Sequence, residues 1–157
     1  MKTDDLVRKQ LAALLGGGNA HQRLDQIAAD FPETGMNTHP AWSQEYTPWR
    51  LLEHIRIAQW DILEFIRNPE YESPPWPEGY WPPEGTRANR AEWQQTLSAI
   101  RKDTQDLLDI VHDPHTDLYA PIPHAPDYTI FREILVAADH FSYHLGEFGL
   151  LRSALRL

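Results

Sequence analysis

His140 and His144 stand four residues apart inside an apolar-periodic run from Ile130 to Leu155. On an α-helix that spacing puts two imidazoles one turn apart on the same face. A single metal ion needs this arrangement to take one nitrogen from each. Ala137, Phe141, Leu145, Phe148 and Leu151 recur at helical spacing around the pair, so the face points into a core. An imidazole there must be hydrogen-bonded or metal-bound, because an unpaired buried polar group costs free energy. His54 falls on the inward face of another periodic segment, with Leu51, Ile55, Ala58, Ile62 and Phe65. One inward histidine is ordinarily a satisfied core residue; three on two long helices predict a shared metal site. Three neutral imidazoles leave coordination positions for water or substrate, the open arrangement of a catalytic centre. Zinc suits such a site best, and nickel and iron also accept imidazole.

Carboxylates near these histidines divide by position. Glu147 lies three residues after His144 and shares its side of the helix, so it is the carboxylate placed to orient that ring or to move a proton. Glu53 and Asp139 each precede a histidine by one residue, which turns them about 100° round the helix; they read as solvated. Tyr143 reads as packing with its hydroxyl at a rim, and Trp60 and Asp61 as weaker candidates for a pocket wall. His112, His115 and His124 sit in or beside a loop broken by Pro114 and read as surface residues, while His21 and His39 have no evident partner. Gly16-Gly17-Gly18 follows a helix and lacks a following Lys-Ser/Thr, so it is not a phosphate loop.

The elements that must carry these groups are helical. Residues 4–15 form a first helix with Thr3 as N-cap, ended by the glycines. Asn19 is placed to cap a segment from Ala20 to Phe31, which Pro32 stops, and residues 32–46 look irregular. Thr47-Pro48 is a strong helix start, and that helix runs to about Arg67. Residues 69–86 are rich in proline, tyrosine and tryptophan. This is too long for a hairpin turn, but long enough, at about 3 Å per residue, to run back along a helix and join two parallel neighbours. The aromatic residues Trp76, Tyr80 and Trp81 read mainly as staples that pack this crossover. Thr86 or Asn89 caps a third long helix over residues 90–112, and Thr129 caps the last. No period-two strand pattern stands out. The expectation is an all-α four-helix bundle forming a single domain over 1–157.

Composition narrows the function. The 157 residues can bury roughly 70% of their unfolded surface. With no cysteine, disulfides, thiolate ligands and a cysteine nucleophile are excluded. A formal net charge of −9 argues against nucleic acid as partner. Met1-Lys2-Thr3-Asp4-Asp5 lacks a signal-peptide pattern and no run is apolar enough to span a bilayer. The expectation is therefore a cytoplasmic protein that uses no membrane and acts on a small-molecule substrate. A homodimer through an exposed helix face is compatible with this.

The order Trp49-Arg50-Leu51-Leu52-Glu53-His54, long middle connection, then Asp139-His140-Phe141-Ser142-Tyr143-His144-Leu145-Gly146-Glu147 resembles the DinB-like superfamily along nearly the whole chain. The resemblance implies an up-down-down-up bundle with one divalent metal on His54, His140 and His144. Glu147 stands where relatives often have glutamine. Related families use a low-molecular-weight thiol to transfer or rearrange substrates, which implies a thiol-dependent transferase. The absence of cysteine fits a thiol that arrives as co-substrate. A metal-dependent hydrolase is one alternative, and a non-catalytic, stress-linked protein that binds a metal or small ligand is the other.

Overall fold

Helix boundaries fall where capping residues put them. The computed structural model describes residues 3–41 and 47–156. Its helices are α1 (Thr3–Leu15), α2 (Leu24–Ala28), α3 (Glu33–Met36), α4 (Pro48–Arg67), α5 (Arg90–His112) and α6 (Ile130–Ala154), with strands β1 (Pro121–Ile122) and β2 (Ala125–Thr129). The chain is mostly helical. Thr47 Oγ1 accepts from the Arg50 N–H at the start of α4, and Thr129 Oγ1 accepts from the Arg132 N–H at the start of α6. At α5 the cap is Asn89, not Thr86: Asn89 Oδ1 accepts from the Glu92 N–H while the Glu92 carboxylate accepts from the Asn89 N–H. Asn89→Ala removes one arm of this reciprocal cap and is expected to lower stability by about 1 kcal/mol, read as a shift in the urea midpoint.

Several expectations need correction. Thr3 lies inside α1 and is not its cap. The segment Ala20–Phe31 is helical only over Leu24–Ala28. Asn19 does not cap it; its Nδ2 donates back to the Ala13 carbonyl at 2.8 Å, closing the end of α1. The intervening Gly17 and Gly18 have φ of 70° and 85°, left-handed backbone that glycine adopts at no steric cost. Residues 32–41 contain the one-turn α3, and residues 42–46 of the stretch expected to be irregular lie outside the described residues. The chain is not purely helical either. β1 and β2 pair antiparallel, and prolines 121, 123 and 126 hide the alternation that would have announced them.

Side-chain bonds fix the relative directions of the long helices. Thr96 donates to Glu53, Gln59 donates to the Ile100 carbonyl and Thr104, and Arg67 donates to Asp106. Positions therefore rise together, and α4 and α5 run parallel. The crossover 68–89 makes this possible by returning along the molecule. On α6, His140 and His144 meet His54, while Tyr128, just before α6, meets Phe65, so α6 runs antiparallel to α4. Arg8 of α1 donates to the carbonyls of Val111, Asp113 and Thr116, so the start of α1 meets the end of α5.

Buried apolar residues form two clusters. One joins Phe31, Trp93, Leu97, Phe148 and Leu51; the other joins Leu15, Leu63, Leu107, Val111 and Ile134. Leu51 and Ile55 on α4 and Phe141 and Leu145 on α6 place the three histidines beside the first cluster. No helix among the described residues is long and apolar enough to cross a membrane.

Candidate metal centre

His54, His140 and His144 meet, as their spacing requires. Among the described residues they are the one group of three or more ligating side chains whose donor atoms all lie within 4.8 Å of one another. His54 Nε2 is 3.0 Å from His144 Nε2 and 3.1 Å from His140 Nε2. His54 is 2% exposed and His144 7%, while His140 is half-buried.

The rings are held from behind. His54 Nδ1 lies 2.7 Å from the Tyr80 carbonyl oxygen, an atom that only accepts, so Nδ1 carries the proton and Nε2 is a bare lone pair. His144 Nδ1 lies 2.7 Å from Glu147 Oε2. An ionised carboxylate also only accepts, so His144 Nε2 is bare as well. Trp81 lies flat against His54, with ring centroids 4.0 Å apart and planes 5° from parallel.

Two lone pairs facing one another at 3.0 Å cannot form a hydrogen bond. A neutral His140 can donate its Nε2–H to His54 Nε2 at 3.1 Å, which still leaves His144 Nε2 facing His54 without a donor between them, and an added proton is opposed by burial. Desolvation lowers the pKa of His54 and of His144. It pushes His140 down to about 3, with His144 and His54 adding like-charge repulsion. A divalent cation fits this donor set: two bonds of about 2.0–2.1 Å to one ion span a gap of roughly 2.9–3.4 Å at angles near 90–110°. The fit thus rests on spacing, tautomer and neutrality together.

The same shifts give a pH prediction for metal-free protein. A histidine whose folded pKa lies below its unfolded value contributes stability above the unfolded value, and that stability is lost as pH falls toward the folded one. For His140 the window runs from 6.5 down to about 3. Chelated protein is expected to show a lower urea midpoint at pH 5 than at pH 7.5, with a smaller difference in His140→Gln. Both pH values lie above the range in which Asp106 and Asp113, held below the usual carboxylate pKa by hydrogen bonds, would contribute.

The remaining candidates separate clearly. Glu147 reaches His144. Glu53 does not reach the rings; it takes a bidentate bond from Arg56 and the hydroxyl of Thr96. Asp139 is exposed, and Tyr143 is 65% exposed. His124 is a surface residue whose Nε2 donates to the Phe65 carbonyl, and His112, His115 and His39 are exposed. His21, which had no evident partner in the sequence, meets Ser142 Oγ at 3.0 Å. The main omission is in the crossover. Trp76 is 74% exposed, but Tyr80 and Trp81 do more than staple: they hold His54. Because the crossover returns along α4, residues in its second half must pass the first turns of that helix, and the Tyr80-Trp81 pair between prolines was the available signal. Compared with protein-family models, curated proteins and solved structures, the chain finds no match.

Proposed function

We propose that the protein is a divalent-metal-dependent enzyme acting on a small molecule, built as an up-down-down-up four-helix bundle of the DinB-like superfamily. The helix directions and the long crossover support that architecture. The observation that carries the functional reading is the convergence of bare imidazole lone pairs whose far nitrogens are already committed to Tyr80 and Glu147. His54, His140 and His144 would hold the ion, zinc before nickel or iron. Such an ion supplies Lewis acidity that lowers the pKa of a thiol or water at neutral pH.

The chain's own residues do the rest. The Tyr80 carbonyl and Trp81 fix the tautomer and plane of His54. Glu147 holds the proton on His144 Nδ1 and strengthens the opposite nitrogen as a donor; it acts as a positioning residue. The chain has no cysteine, so in a thiol-dependent transferase the thiol nucleophile would be brought as co-substrate; a metal-dependent hydrolase, activating water instead, is the alternative.

The test combines metal analysis with an activity panel. Protein from metal-replete medium is expected to hold one ion per chain and to conjugate a low-molecular-weight thiol to at least one member of a broad electrophile panel, with activity lost on chelation. Stoichiometric metal with neither conjugation nor hydrolysis would leave a metal-binding protein without catalysis. Metal-replete protein that holds no ion would overturn the reading altogether.

A further inference from the structure

Asp61 lies seven residues after His54, two turns along the same face of α4 and about 10 Å down its axis. Tyr80 of the crossover spans that interval. Its carbonyl oxygen takes the Nδ1–H of His54 at 2.7 Å, and its hydroxyl donates to Asp61 Oδ2 at 2.8 Å. Asp61 is buried. The Tyr71 hydroxyl, from the start of the crossover, faces the same carboxylate; burial first, and Asp61 after it, raise the pKa of that phenol. One buried side chain on α4 therefore ties the crossover down at both tyrosines. The turn before Tyr80 is stiff. Pro74, Pro75 and Pro77 fix φ at three positions. The Gly79 N–H donates to the Pro75 carbonyl at 2.8 Å and the Tyr80 N–H to the Pro77 carbonyl at 3.1 Å. A Cβ at Gly79 would stand 2.5 Å from Pro74 Cβ, so the turn is packed on itself. Such a turn moves as one body, and the place of the Tyr80 ring sets the place of its carbonyl.

That carbonyl decides a tautomer. A neutral, metal-free His54 has two places for its one ring proton. On Nδ1 the proton bonds to the Tyr80 carbonyl and Nε2 stays bare. On Nε2 it can donate to His144 Nε2, which stands 3.0 Å away with a lone pair to accept it. The second form closes the site to an ion. It also turns a bare Nδ1 on the Tyr80 carbonyl, so it gains ground only when that carbonyl moves away. We infer that Asp61 is a positioning residue of the metal centre: by holding Tyr80 it keeps His54 in the tautomer that offers Nε2 to the ion. The inference rests on reading the three histidines as a metal centre. Loosening Tyr80 shifts population to the closed tautomer, and apparent metal affinity falls in proportion to the open fraction that remains. The Trp81 stack fixes the ring plane in either tautomer and does not choose between them.

The test uses the full chain, first chelated and then titrated with zinc. Nitrogen NMR of the imidazoles, at a pH where they are neutral, reads the tautomer of His54. Wild type is expected to show the Nδ1–H form alone. Tyr80→Phe keeps the carbonyl and the ring and deletes only the hydroxyl. It is expected to show the Nε2–H form and to bind zinc about tenfold more weakly, the lower end of the effect of losing an outer partner, with helical circular dichroism unchanged. Asp61→Asn keeps a neutral acceptor and is expected to fall between the two. Tyr71→Phe removes a hydroxyl from the same carboxylate without touching the residue on His54, and both readouts are expected to stay close to wild type. A wild-type tautomer in Tyr80→Phe would overturn the inference, as would weaker zinc binding with the tautomer unchanged. So would an equal effect from Tyr71→Phe, which would reduce the contact to general loosening. If wild type binds no zinc, the proposed function fails by itself, and the tautomer in chelated protein still decides whether Asp61 acts on His54.

Discussion

His144→Ala is expected to lose metal at working concentrations while keeping its helical circular dichroism. The substitution deletes one of three donors and also releases Glu147 from its partner. Loss of an outer partner alone typically weakens a metal site by about 10–100-fold, so loss of the donor itself is expected to exceed that range. Glu147→Gln gives the internal comparison: a glutamine oxygen still accepts from Nδ1–H but without charge, so its effect belongs inside the range. Thermal melting supplies a second readout. An ion present at about 100 times its dissociation constant stabilises the folded state by about 2.7 kcal/mol, which for a domain of this size raises the melting temperature by roughly 5–10 °C. Adding metal is expected to produce that rise in wild type and none in His144→Ala. Full stoichiometry in the variant would remove His144 from the ligand set.

Much of this centre was legible because it depends on helical periodicity. The His140–His144 spacing, the inward position of His54 and the Thr47-Pro48 start of its helix are local signals, and local signals survive folding. The crossover could be read for length and direction, because only a long connection lets α4 and α5 run parallel. What could not be read was which of its aromatics touches the site. Trp76 and Trp81 share composition and neighbourhood, yet one is mostly exposed and the other covers His54. That choice is set by the path of the crossover, a tertiary property. The link from Asp61 to the centre through Tyr80 was illegible for the same reason: one residue of the crossover uses its carbonyl on His54 and its hydroxyl, pushed up to about 12 by burial and the bond to Asp61, on the next polar group along α4. Asn19 shows the opposite error. Its side chain suits the start of a helix, but after a glycine run it was closer to the end of the previous one, and capping that end won.

Trp93→Ala is expected to give the largest loss of stability, and to test whether the core positions the centre. Trp93 is fully buried, lies 5.1 Å from Phe31 in a stacked arrangement and 5.9 Å from Phe148, and donates its indole N–H to the Ala28 carbonyl at 2.9 Å. Truncation to alanine costs about 3–5 kcal/mol through lost burial and an unfilled cavity, a large share of the roughly 5–15 kcal/mol that holds a domain folded. Trp93→Phe separates the two contributions: it retains a ring against Phe31 and leaves the Ala28 carbonyl with only the longer bond from the Phe31 N–H at 3.3 Å, for about 1 kcal/mol, the net worth of one hydrogen bond. The consequence for metal binding follows from Phe148, which sits one turn beyond His144 on the same helix and packs against both aromatics. If this packing sets the position of α6, urea unfolding will show the alanine variant gaining less stability from added metal than wild type gains, because part of the binding energy must restore the helix. An equal gain in both would mean that the donors are positioned locally, by Tyr80, Trp81 and Glu147, and not by the core beneath them.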